Sequence, residues 1–167
     1  VLTDSQDNPL AGRTITLRIN NVNCKGITKD NGKAVISIPS NLAVKTYTAT
    51  ITYAGEEGYL SKTSSVTVVV NKATPKLTAA KKTFKVKDKT KKYVVTLKTD
   101  KNKVYKNQKV TIKVKGKTYS AKTNSKGQAT FKLTKLTKNG TFSATVKYGG
   151  NSYYKAVSKS VKITVKK

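Results

Sequence analysis

The side chains in this sequence that could do chemistry are mostly of one kind. Seven lysines, Lys81, Lys82, Lys85, Lys87, Lys89, Lys91 and Lys92, fall within twelve residues, and the whole chain carries 35 Lys plus Arg against 7 Asp plus Glu, a formal net charge of +28. What such a run offers is electrostatic: attraction to an anionic polymer or surface, strong at low salt and fading as the Debye length shrinks. The same run also reads as a solvated strand face whose charge discourages edge-to-edge pairing. Only Arg13 and Arg18 among the basic residues are arginine. The bidentate fork of specific phosphate and base recognition is therefore scarce, and the positive charge reads as diffuse.

Other chemistry has few carriers. There is no histidine and no tryptophan, and beyond residue 72 the only acids are Asp88 and Asp100. General acid-base catalysis and transition-metal binding have little to work with. Serines and lysines are scattered through turns and strand faces without a nucleophile motif. The expectation is a protein that is not an enzyme and holds no cofactor. Asp4, Asp7, Asp30, Glu56 and Glu57 would suit calcium if their loops met at one pole, yet their spacing matches no calcium loop, and solvated turn acids are the preferred reading. Asn139-Gly140-Thr141 is a sequon in an expected loop, which makes Asn139 a candidate glycosylation site. The single cysteine, Cys24, rules out a disulfide within the chain and reads as a small, half-buried apolar residue.

The elements that position these residues follow from a repeat. Thr141 to Gly150, T-F-S-A-T-V-K-Y-G-G, stands 95 positions after Thr46 to Gly55, T-Y-T-A-T-I-T-Y-A-G. Both copies alternate: Tyr47, Ala49, Ile51 and Tyr53 in one, Phe142, Ala144, Val146 and Tyr148 in the other, fall on one side of a period-two chain, as in a strand with one buried face. The offset holds without a gap across residues 1–72 against 96–167. A unit of about 95 residues is long enough to close its own core, so two domains are expected, 1–71 and 72–167. The first begins at the position equivalent to Thr96 and lacks roughly the first quarter of its repeat, so the chain reads as a piece of a longer protein. Phe84, Val86, Val94 and Val95 then have no partners upstream of Val1, and the first domain is expected to show an uncovered apolar strip or a borrowed strand. Charge divides unevenly too. Residues 1–72 hold 8 basic and 5 acidic side chains, or +3, and residues 73–167 hold 27 and 2, or +25.

Along the first copy, strands are expected at Arg13 to Ile19, Val22 to Thr28, Lys33 to Ile38, Thr46 to Tyr53 and Ser65 to Val70, with tight turns at Asn20-Asn21 and Asn31-Gly32. Pro39 stops the third of these. The link from Asn71 to Pro75 has no Gly or Ser run and is expected to allow limited freedom. Residues after it read as a bent opening strand and the start of a second, giving about seven strands in the complete domain. No segment has a sustained helical period. The fold class is all-β: two tandem immunoglobulin-like antiparallel sandwiches, the first lacking its opening strands.

T-K-D-N-G-K-A-V-I-S-I and T-N-S-K-G-Q-A-T-F-K-L resemble the hairpin of bacterial Ig-like repeats of the invasin type. Y-T-A-T-I-T-Y-A-G-E-E-G-Y-L-S and F-S-A-T-V-K-Y-G-G-N-S-Y-Y-K-A resemble their penultimate strand and following loop. The Lys-rich, Thr-rich composition is similar to that of adhesin-like surface proteins of methanogenic archaea, which string such domains into stalks. The acidic residue usual after the loop glycine is Glu56 in the first copy and Asn151 in the second. The resemblance brings covalent expectations to weigh, a thioester from Cys24 to Gln6, with an intermolecular disulfide as the other use of that thiol, and a Lys to Asn isopeptide. The latter needs a buried acid, for which Asp100 is the one choice in the second domain.

The reading is a non-catalytic, extracellular stalk or presentation module that mediates attachment at a cell surface. Its basic second domain would meet an anionic wall polymer, a glycan or a partner cell's surface proteins, and neighbouring repeats of the same chain would flank it. The alternatives are a dedicated polyanion or glycan-binding module and a nucleic-acid-binding protein. Most Tyr and Phe sit at core-phase positions, away from the basic residues they would need to flank for nucleic-acid stacking, so no specific nucleic acid is expected. Nor does any apolar run approach the roughly 20 residues of a membrane span.

Overall fold

Side chains that alternate between apolar and polar leave one face of each segment needing cover, and the fold follows from how that cover is found. The computed structural model describes residues 1–167, all strands and loops, in two compact units, Val1–Asn71 and Lys72–Lys167.

The first unit holds β1 (Thr14–Ile19), β2 (Val22–Ile27), β3 (Thr46–Tyr53) and β4 (Lys62–Val69), joined as one antiparallel sheet in the order β2-β1-β3-β4. Asn20 and Asn21 both take positive φ, 48° and 62°, the tight turn expected between β1 and β2. The second unit holds β5 (Lys76–Thr78), β6 (Lys82–Lys85), β7 (Lys92–Lys98), β8 (Lys109–Val114), β9 (Lys117–Lys122), β10 (Gln128–Lys132), β11 (Gly140–Tyr148) and β12 (Val157–Lys166). They form a three-stranded sheet, β10-β7-β5, facing a five-stranded one, β6-β12-β11-β8-β9. The opening strand is bent between the two sheets: β5 runs antiparallel to β7, then β6 runs parallel to β12. Counted as one bent strand, they give the expected seven.

Both units use the same ladders. Ile15 pairs with Tyr53 and Val110 with Tyr148; Thr46 pairs with Val69 and Thr141 with Thr164; Thr14 pairs with Ile27 and Lys109 with Lys122. Each pairing repeats 95 positions later. So do loop contacts that the sequence did not announce. Buried Thr28 accepts a hydrogen bond on Oγ1 from Arg13 N, and buried Thr123 accepts one from Gln108 N, each at 2.9 Å. Gly32 and Gly127 both sit at positive φ, where a Cβ would stand 2.5 Å from Leu2 O and 2.6 Å from Leu97 O. Tyr53 and Tyr148 are buried alike.

The units differ in the layer opposite the shared sheet. In the second, Phe84, Tyr93, Val95, Leu97, Ala129 and Phe131 close against Ile112, Val146 and Ile163 in one core. Val86 and Val94 face outward instead, 36% and 44% exposed. In the first, the expected strand Lys33 to Ile38 does not form a ladder: of the strand that holds its equivalent, β7, only the last three residues are matched here, by Val1 to Thr3, and the shared contact is the bond from Leu2 N to Gly32 O at 2.8 Å. The segment lies against the backbone of Gly26, where an added Cβ would meet Ile36 Cγ1 at 2.8 Å. Apolar residues of the segment and of β4 stay open: Ile38 is 40% exposed against 2% for Leu133, and Val66 on β4 39% against 9% for Val161. A cleft of about 190 Å³ lined by Ile15, Ile36, Ile51 and Tyr53 runs beneath it. The contiguous buried cluster of this unit is Ile19, Leu42, Tyr47 and Ala49, with Ile15 and Tyr53 buried apart from it.

Fully burying a large apolar side chain contributes about 1.5–3 kcal/mol, so the second unit is expected to be the more stable. Phe131→Ala is expected to cost about 3–5 kcal/mol, and Ile36→Ala less than half as much, by denaturant unfolding. Native-state hydrogen exchange should show β1 and β3 opening at lower free energy than β8 and β11; equal protection would contradict this account.

Candidate functional site

Strand phase decides which lysines reach solvent. Lys81, Lys82, Lys85, Lys87, Lys89 and Lys92 are exposed, but they do not share one face. Lys82 and Lys85 lie on β6, the edge of the five-stranded sheet, whereas Lys92 opens β7, the middle strand of the other. Lys87 and Lys89 occupy the connection between them. Lys91 departs from the expected surface cluster: it is only 7% exposed. It falls in phase with Tyr93, Val95 and Leu97, and its ammonium turns back to donate to Val86 O at 3.1 Å and Asp88 O at 2.9 Å.

Cross-strand register then sets lysine opposite lysine. Lys76 pairs with Lys98, Lys92 with Lys132, Lys109 with Lys122, and Lys85 with Lys166. No acid neutralises them. Asp88 Oδ2 accepts from Lys85 N at 2.7 Å, and Asp100 Oδ1 accepts from Tyr154 OH at 3.2 Å. The one ion pair, Arg13 Nε to Glu56 Oε1 at 2.8 Å, is in the first unit. Like charges directly opposite on a sheet are destabilising, on the order of 0.2–1 kcal/mol per pair.

One end of the second unit gathers tyrosines. Tyr105 stands edge-on to Tyr148, ring centroids 6.0 Å apart, and tilted against Tyr154 at 4.9 Å. Tyr148 OH donates to Gln108 Oε1 at 3.1 Å, and Asn151 Nδ2 donates to Tyr105 OH. Burial pushes the Tyr148 phenol far above its usual range, and neighbouring Tyr105 and Tyr154 add to the shift. Glu56 and Asn151, which align, do different work. Glu56 pairs with Arg13, whereas Asn151 Oδ1 accepts from Tyr153 N and Tyr154 N, both at 2.9 Å.

The remaining candidates are dispersed. Asn139 is exposed just before β11. Cys24 is a half-buried free thiol on β2, paired with Leu17. Asp100 is exposed, so the buried acid that an isopeptide needs is not supplied by it. The Asp4 carboxylate is taken up by its own loop, accepting from Gln6 N and Asn8 N at 2.9 Å, and hydrogen bonding with Asn8 holds it below the usual carboxylate range.

Among known proteins, the chain matches no family model and no curated protein. It is similar in fold to solved β-sandwich chains. Against invasin, a bacterial integrin-binding protein, the TM-score is 0.46 at 20% identity, over 98% of this chain and 34% of that one. Against the tetra-tandem repeat in the extending region of a large adhesion protein it is 0.46 at 17% identity, over 95% and 43%. Against fibronectin(III)-like modules of Clostridium thermocellum CbhA it is 0.39 at 18% identity, over 99% and 82%. The chain thus spans less than half of the first two.

The tyrosine cluster carries a pH dependence. With its folded-state pKa above the unfolded value of 10.0, Tyr148 contributes stability that is complete below that pH and lost as pH rises beyond it. Unfolding measured above about pH 10 should therefore fall more steeply in the wild type than in Tyr148→Phe. Parallel curves would show that Tyr148 ionises freely in the fold.

Proposed function

We propose that the two units are Ig-like domains of an adhesin-like protein, acting outside the cell as a non-catalytic stalk and presentation module. The second domain contacts an anionic wall polymer or an anionic partner surface. The observation that carries this reading is the set of four opposed lysine pairs with no acid between them. A fold that keeps such pairs is destabilised by its own charge, and a polyanion relieves the repulsion by binding. The hairpin and loop motifs that resemble bacterial Ig-like repeats favour the surface setting, and exposed Asn139 is available for glycosylation there.

A dedicated polyanion or glycan site is the second reading, favoured by the buried Lys91. Nucleic acid fits less well. Base stacking wants open aromatic faces, and of the large aromatics only Tyr153, 58% exposed, offers one.

The test replaces Lys81, Lys82, Lys85, Lys87, Lys89 and Lys92 by Gln and compares this variant with Gln at six exposed lysines outside that run, Lys113, Lys115, Lys122, Lys147, Lys159 and Lys162. Affinity for a heparin-like polymer at near-physiological salt should fall on the order of tenfold in both, because the attraction is summed over the surface. Unchanged affinity in both variants would mean the lysines only solvate the fold.

A further inference from the structure

Beside the β6–β7 connection the second unit has a cleft of about 230 Å³, walled by Lys89, Thr90, Lys91, Lys132, Leu133 and Leu136. That is smaller than the roughly 300–1,000 Å³ of a drug-sized ligand site and suits a single small group. Two features make it unlike the rest of the basic surface. Lys91 is 7% exposed, and its two hydrogen-bond partners are main-chain carbonyls, with no carboxylate paired to it. An ammonium has three donors, so one remains, and a buried cation without a counter-charge is costly. The rim then adds charge of the same sign: Lys132 stands directly opposite Lys92 in the ladder, and Leu133 N is held to Lys91 O at 3.0 Å, which fixes that rim against the buried lysine.

The floor is apolar, through Leu133 and Leu136, and the walls carry three lysines and several hydroxyls against one acid, Asp88, whose Oδ2 is already taken up by Lys85 N at 2.7 Å. A ligand matching both has an anionic group on a small body with a C–H face. At the 95-residue offset Lys132 aligns with Ser37 and Leu136 with Asn41, so the first unit does not repeat this lining.

We propose that this cleft binds one acidic sugar residue of a polymer, its carboxylate or sulfate set against Lys91 and flanked by Lys89 and Lys132. The proposal rests on the polyanion reading above and narrows it to one subsite.

The test is an NMR titration of the whole chain at fixed ionic strength with glucuronate, inorganic sulfate and glucose. Glucuronate should give saturable shifts confined to the amides of residues 86–91 and 132–137. Sulfate should bind the same residues more weakly, and glucose should leave them unmoved. Lys91→Met, which keeps an unbranched side chain one heavy atom shorter and removes the charge, should weaken glucuronate at least tenfold. Lys132→Gln, an exposed change that spares the core, should weaken it about threefold. Glucuronate shifts that scatter over all basic strands without saturating, or equal titration of Lys91→Met and wild type, would overturn the subsite. Heparin-like polymer is measured in parallel. If wild type and Lys91→Met hold it equally and glucuronate does not saturate, the subsite falls while diffuse binding stands. If glucuronate saturates the cleft but no polymer is held, the subsite stands and the broader reading falls.

Discussion

Everything in this protein depends on covering the apolar face of a twisted antiparallel sheet. Where β7 and β10 lie across that face, Ile112, Val146 and Ile163 are fully buried and the sandwich is closed. Where that layer is not formed by strands, the same ladders form in the same register, yet the layer above is irregular chain and its isoleucines stay half-open. Ladder hydrogen bonds set the shape of a sheet, but each contributes only about 0.5–1.5 kcal/mol net. Face-to-face burial is what decides how firmly it holds.

A closed core leaves the outer faces free to vary, and the second unit spends that freedom on lysine. Its opposed pairs cost together about 1–4 kcal/mol at low salt, against a typical domain stability of 5–15 kcal/mol. Residues 1–72 carry +3 and residues 73–167 carry +25.

The repeat made most of the fold legible. Alternation in Thr46 to Tyr53 and Thr141 to Tyr148 located β3 and β11, the Asn20-Asn21 turn was readable from residue type, and the 95-residue offset carried each feature from one copy to the other. Lys33 to Ile38 misled because its alternation is that of a strand, while forming a ladder also needs a neighbour. Lys91 was hidden by density. Its phase with Tyr93 and Val95 points it inward, yet six lysines around it suggested a surface run. The opposed lysine pairs lay outside what one strand's pattern can give, because register belongs to two strands at once. Thr28 and Thr123 left a signal that went unused, the same hydroxyl residue 95 positions apart.

The central claim is that the closed unit is held against its own unpaired positive charge. Its most direct test is the thermal midpoint of the whole chain, followed through amide signals of β8 and β11, at about 0.01 M and about 1 M sodium chloride, where the Debye length is about 30 Å and about 3 Å. The account predicts a midpoint that rises with salt. One that stays level or falls would show that the opposed lysines do not repel enough to matter, and would contradict it.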